Sequence, residues 1–145
     1  MTHDFRELSS ELISKLDLLT EHILIDHNKD QLVVNLKLIS SKEMIRLNRD
    51  YRSKALDTNV LSFPAGKDIQ KLSGELGDIA MSFPRIQSES HNLNRDLEDH
   101  MMHLLAHGIL HLLGFDHTKD QDANIMEAQE IKYLKFFKIA NPYQI

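Results

Sequence analysis

The chain has 145 residues, 41% hydrophobic and 27% charged, which suits one compact domain with its own core and leaves little room for a second. A net charge of −5 argues against indiscriminate coating of duplex DNA, which needs a basic protein. With no cysteine there is no disulfide and no thiolate ligand, so any metal must be held by His, Asp or Glu. No apolar run approaches the roughly 18 residues of a membrane span. The N-terminal MTHDFRELSSELISKL is charged and amphipathic, without the apolar middle of a secretion signal, so a cytoplasmic protein with no membrane partner is predicted.

In chain order, Phe5 to about His27 carries Leu8, Leu12, Leu16 and Leu19 at helical spacing and reads as an amphipathic helix. Gln31 to Ile39 alternates, is rich in β-branched residues, and reads as a strand. Ser40-Ser41 followed by Glu43 is a helix start, and a short helix is predicted to about Tyr51. Asn59 to Phe63 is a strand closed by Pro64, and Ala65 to Ser73 reads as a polar loop. Glu75 to Ser82 is the next strand, and Pro84 opens a short helical segment. Leu97 to Leu113 is a long apolar helix that Gly114 ends. A last helix runs from about Asp120 to Phe137, with Ile125, Met126, Ile131 and Leu134 on its buried side. The pattern predicts a small α+β domain: a mixed sheet of three or four strands, about five helices, and the apolar helix at the centre.

Charge is unevenly distributed. Lys42 to Lys54 holds five basic against two acidic side chains, whereas Asp116 to Glu130 holds five acidic against one basic. A molecule polarised in this way can hold a phosphate chain locally, and two ordinary solvated faces give the same counts.

His100, His103, His107 and His111 line one side of the long helix at steps of three, four and four. His107 and His111 are one turn apart, about 6 Å of axial rise, so their rings can converge on one ion. His103 and His111 are about 12 Å apart along the axis and cannot both serve that ion. Gly114, just past the last turn, permits the left-handed residue that reverses the chain and brings Phe115-Asp116-His117 back beside His111. Three imidazoles with an open fourth position form a catalytic type of zinc site, since structural sites are usually closed by four protein ligands. His103 is expected to pack, or to support a ligand from behind, and His100 to lie exposed. Met101 and Met102 are expected in the core.

In the spacing H-x-x-x-H-x-x-G-x-x-H, a zinc protease keeps a glutamate base after the first histidine, and here Gly108 stands there. Zinc lowers the pKa of its own water to roughly 7 without a base, which suits a leaving group needing less protonation than an amide nitrogen, such as a phosphodiester. The missing side chain at Gly108 is expected to leave room for a bulky substrate. A phosphodiester needs a cation to hold it, and Arg49, Arg52 and Lys54 precede the strand Asn59 to Phe63. On physical grounds alone the segment is no more than suggestive, because an arginine at a helix end most often caps carbonyls or meets solvent. Asp116 has two open readings: orienting a ligand imidazole through its far nitrogen, or accepting backbone N–H groups in its own turn. Asp78 is read as structural, and Thr58 and Ser62 as hydrogen-bonded strand and turn residues.

YR-x-K-x-x-x-TNVLSFP (Tyr51 to Pro64), LGDI (Leu76 to Ile79) and HG-x-LHLLG-x-DH (His107 to His117) together resemble the YbeY family of bacterial metal-dependent endoribonucleases, over roughly Leu32 to Ile131. The resemblance implies one α+β domain over residues 1–145 with one zinc ion on His107, His111 and His117. It implies cleavage of single-stranded RNA, maturation of the 16S ribosomal RNA 3′ end, and a part in ribosome quality control. It implies a functional role for Arg52 in cleavage, with Arg49 and Lys54 as further candidates for the RNA backbone and His111 as a catalytic ligand. It also implies possible partners, a small-subunit ribosomal protein and an Era-type GTPase. The attacking group is open between metal-bound hydroxide and the RNA 2′-hydroxyl. Two departures stand out: Ala55 occupies a position where the family commonly has aspartate, and the chain begins almost directly in its first helix, so the family's N-terminal edge strand is expected to be missing. Two other classes remain open, a zinc peptidase or other zinc hydrolase, and a ribosome-assembly factor whose zinc is structural.

Overall fold

Hydroxyl and carboxylate caps fix where the main helices begin. Ser9, Ser40 and Asp96 each accept a backbone N–H three residues on, from Leu12, Glu43 and Asp99, and so satisfy one of the free donors at a helix start. In the computed structural model, which describes residues 2–3 and 8–144, the order is β1 (Thr2–His3), α1 (Ser10–Asp26), β2 (Val33–Ile39), α2 (Ser41–Arg52), β3 (Val60–Pro64), α3 (Lys67–Ser73), β4 (Glu75–Ser82), α4 (Phe83–Asn92), α5 (Leu97–Leu112) and α6 (Asp120–Phe136). The expected helix start at Phe5 lies outside the described residues.

The sheet runs β1-β2-β4-β3, parallel from β1 through β4 and antiparallel at β3. Alternation divides β3 between two faces. Leu61 and Phe63 pack with Ile39, Met44, Leu47 and Ala80 under α2, while Val60 faces the main core and Ser62 meets α5. The other sheet face is covered by α5, which is itself flanked by α1, α4 and α6. Ten of the 16 residues of α5 are buried, as a helix with neighbours on every side requires.

Four expectations need correction. Thr2 and His3 pair with Asn35 and Leu36, so an N-terminal edge strand is present, two residues long. Lys67–Ser73 is helical, not loop, which makes six helices among the described residues; Gly74 ends α3 at φ +74, a conformation glycine adopts without penalty. The third is Ile125, which is half exposed; α6 instead buries Met126, Glu130, Tyr133 and Leu134. Finally, His100, expected to lie exposed, is buried with its hydrogen bond to Glu89 made.

Candidate metal centre and the cleft around it

The C-terminal end of α5 is built by a six-residue hydrogen-bond pattern. Phe115 N–H donates to the Leu110 carbonyl at 3.0 Å and Gly114 N–H to the His111 carbonyl at 3.0 Å, with Gly114 at φ +101. This is the Schellman arrangement, in which the left-handed residue satisfies the last carbonyls and turns the chain back. The reversal places His117 beside the last two turns of the helix. Its ring centroid lies 5.2 Å from that of His107 and 4.9 Å from that of His111. One ring nitrogen from each of the three lies within 4.8 Å of the other two.

Hydrogen bonds behind two of the rings decide which nitrogens face inward. His111 Nδ1 lies 3.0 Å from the Phe115 carbonyl, an acceptor only, so Nδ1 carries the proton and Nε2 the lone pair. His107 Nδ1 lies 3.4 Å from Glu130 Oε1, and the same logic gives it the same tautomer. The two Nε2 atoms then face each other at 3.1 Å. Two lone pairs at that distance repel unless a cation sits against both. Nitrogens about 2.0–2.1 Å from one ion at the tetrahedral angle are about 3.3 Å apart, so the pair fits a shared zinc-like ion. Burial, with the neighbouring His107 and His117, lowers the His111 pKa to about 4, which keeps the imidazole neutral and able to ligate at neutral pH.

The inward nitrogens border a cavity of about 370 Å³ between α5, β3 and the end of α2. Arg52, Tyr51, Thr58, Asn59 and Ser62 line the same cavity. Buried Asn48 donates from Nδ2 to the Leu56 carbonyl at 2.8 Å and so pins the segment between α2 and β3. Ser53, in the left-handed conformation at φ 58, stops α2 just after Arg52. A guanidinium and the three-histidine cluster therefore share one cleft.

The model of the family described as Endoribonuclease YbeY matches residues 3–138. The chain belongs to the YbeY family. A protein named Endoribonuclease YbeY from Francisella tularensis subsp. novicida (strain U112) is 39% identical over 121 residues, 81% of this chain and 75% of that one. Its counterpart in Francisella tularensis subsp. tularensis (strain SCHU S4 / Schu 4) is 38% identical over 138 residues, 90% of this chain and 82% of that one. The solution structure of TM1509 from Thermotoga maritima shares the fold, with a TM-score of 0.66 over 99% of each chain at 23% identity. No helix among the described residues is long and apolar enough to cross a membrane.

Of the residues expected at the site of this YbeY member, the three histidines and Arg52 meet in one cleft. Arg49 and Lys54 are not among those lining it: Arg49 pairs with Asp50 at 3.1 Å and borders a groove with Lys42 and Arg46, and Lys54 is exposed. Asp116 takes the local reading, accepting from His117 N–H at 2.7 Å and from the Thr118 hydroxyl at 3.1 Å. Asp78 accepts from Asn35 at 2.9 Å, a structural contact, and Ser62 donates to the Gly108 carbonyl at 2.9 Å.

Gly108 does not open space for substrate. A Cβ there would lie 3.1 Å from Ile79 Cδ1 and 3.2 Å from Ser62 Oγ, so the glycine lets α5 approach the sheet. A side chain at that position meets the sheet at Ile79 and Ser62. His100 is 4% exposed, against the expectation of a solvent position. Its Nδ1 accepts from Arg95 Nη1 at 3.2 Å and its Nε2 donates to Glu89 at 3.0 Å. His103 supports the site from behind through Glu130, 2.8 Å from its Nε2.

Glu130 went unrecognised in the sequence, as did Tyr143, whose hydroxyl lies 2.9 and 3.0 Å from the two Glu130 oxygens. One signal was available: Glu130 is four residues from both Met126 and Leu134, a charged residue on the apolar face of α6.

Proposed function

We propose that this chain is a zinc-dependent endoribonuclease that cuts single-stranded RNA, and the observation that carries the reading is three convergent imidazole nitrogens sharing one cleft with Arg52. Membership of a family described as endoribonuclease supports it. His107, His111 and His117 would hold the ion. Three neutral imidazoles suit zinc and leave a coordination position open, at which a bound ion acidifies water and polarises a phosphoryl oxygen.

The chain's own residues supply the rest. Arg52 offers two parallel N–H donors to the scissile phosphate and offsets the charge that grows on its oxygens in the transition state. Arg49 and Lys54 contact flanking phosphates outside the cleft, where their exposure makes them weaker and salt-sensitive. The polar wall of Thr58, Asn59 and Ser62 orients the sugar and phosphate, and the open cleft admits an unpaired strand. A peptidase reading loses its base outright, because position 108 faces Ile79 and Ser62.

The substrate in this reading is ribosomal RNA, with 16S 3′-end maturation and ribosome quality control as the setting, a cytoplasmic location, and a small-subunit ribosomal protein and an Era-type GTPase as partners. The test compares cutting of one labelled single-stranded RNA by wild type, His111→Ala and Arg52→Ala, purified side by side. Wild type is expected to cut; Arg52→Ala to be slower by about a hundredfold, the size of one lost transition-state donor; and His111→Ala to be inactive. Equal cutting by folded wild type and His111→Ala would assign the activity to a contaminant and overturn the reading. Products ending in 2′,3′-cyclic phosphate would identify the RNA 2′-hydroxyl as the attacking group.

A further inference from the structure

A carboxylate that is 1% exposed must be matched by donors or by a cation. Glu130 has three donors. His103 Nε2 is 2.8 Å from Oε1, His107 Nδ1 is 3.4 Å from the same oxygen, and the Tyr143 hydroxyl sits 2.9 and 3.0 Å from the pair. The tautomer of His103 is fixed from its far side, where Arg95 Nη1 approaches Nδ1 at 3.4 Å and must donate, leaving the proton on Nε2. So His103 reaches Glu130 as a neutral donor, and so does Tyr143. Among the described residues, the ion-pair contacts of Glu130 are to His103 and His107 alone. A full negative charge is thus buried against neutral groups, one imidazole away from the point where the ring nitrogens converge.

We infer that Glu130 is the positioning residue of the metal centre: it holds the His107 ring with Nε2 inward, raises the basicity of that nitrogen, and is itself held by Tyr143 from the segment after α6. The inference rests on the metal reading above. Its physical basis is the pairing of a ligating imidazole with a carboxylate on its other nitrogen, which fixes the tautomer and lets the ion's charge be balanced through the ring. His111 uses the Phe115 carbonyl for the same purpose, so the two helix ligands are oriented by different groups, one charged and one neutral. The C-terminal segment then becomes part of the site, because Tyr143 reaches both Glu130 and His103, the latter at 3.2 Å. A second cavity of about 230 Å³ is bordered by His107, His117, Glu130 and Tyr143, so this segment and the histidines line a common space.

The test reads zinc affinity by chelator competition, without RNA. Glu130→Gln keeps the shape and a hydrogen-bond acceptor but removes the charge, and a loss of about 10- to 100-fold in zinc affinity is expected. Tyr143→Phe, at a half-exposed position with little risk to folding, is expected to lose about threefold, the worth of one modest hydrogen bond. Glu127→Gln, on the same helix and bordering the same cavity, serves as the control and is expected to match wild type. A folded Glu130→Gln variant binding zinc within twofold of wild type would overturn the inference. Should that variant not fold, Tyr143→Phe decides, and wild-type affinity in it overturns the inference equally. Failure of the wild-type protein itself to bind zinc would instead sink the metal reading on which this one stands.

Discussion

The two halves of α5 carry the same residue type to opposite ends. In the first half, His100 and His103 are tied to carboxylates: each gives its Nε2 proton to a glutamate and takes Arg95 on Nδ1. In the second half, His107 and His111 turn protonated nitrogens outward and lone pairs toward each other, with His117 alongside. Helical spacing is common to all four, so spacing is not what separates a satisfied histidine from a ligand. What separates them is whether each ring is left with an uncommitted lone pair. The first half spends its lone pairs on a guanidinium; the second points them at one another.

The largest expected effect comes from the residue at the joint between the halves. Gly108→Glu restores the protease spacing in sequence, yet drives a carboxylate against Ile79 and Ser62. We expect about 3 kcal/mol or more of lost stability by chemical denaturation, with no peptidase activity gained. A stable variant that cuts peptides would show that the side chain at position 108 can reach the histidine cluster despite the close approach of Ile79 and Ser62.

Zinc itself separates the halves next. At a hundredfold excess over its dissociation constant, a ligand of the native state adds about 2.7 kcal/mol, which raises the thermal midpoint of a domain this size by roughly 5–10 °C. That rise is expected in wild type and absent in His111→Ala. His100→Gln should behave in the reverse way: about 1–2 kcal/mol of stability lost through the weakened bonds to Glu89 and Arg95, with the response to zinc intact. Loss of the zinc response in His100→Gln would mean that the two halves are one unit.

The pH dependence of the metal-free protein is the gentlest probe. His111 has its pKa lowered to about 4 from 6.5, so the unfolded chain takes up the proton first as pH falls. Its contribution to stability is whole above pH 6.5 and is lost between 6.5 and about 4. Glu130 is pushed up by burial but brought down further by its bonds to His103 and His107, to about 2. Its contribution is whole above pH 4.5 and is lost between 4.5 and about 2. Denaturant midpoints measured across this range should fall in two steps, and His111→Ala should flatten only the upper one.

Much of the fold was legible because local rules dominated it. The Ser40 cap, the alternation of β2, the bounds of Glu75–Ser82 and the Gly114 stop all follow from patterns within a dozen residues. Misreadings arose where distant contacts decided the outcome. Lys67–Ser73 has a weak helical signature, and Ile125 is half exposed because α6 turns Glu130 and Tyr133 inward instead.

By itself, the sequence brought together the three candidate ligands. A one-turn histidine pair followed by a chain-reversing glycine and a third histidine is a short-range geometry that helix rise and the left-handed turn dictate. The tertiary structure decided what surrounds them: that Arg52 shares their cleft while Arg49 and Lys54 do not line it, that Gly108 serves packing, that His100 is buried, and that Glu130 stands behind His107. Those outcomes depend on how α2, α4 and α6 meet α5 across 11 to more than 50 residues of chain, and such hydrogen-bond partners leave no periodic trace in sequence.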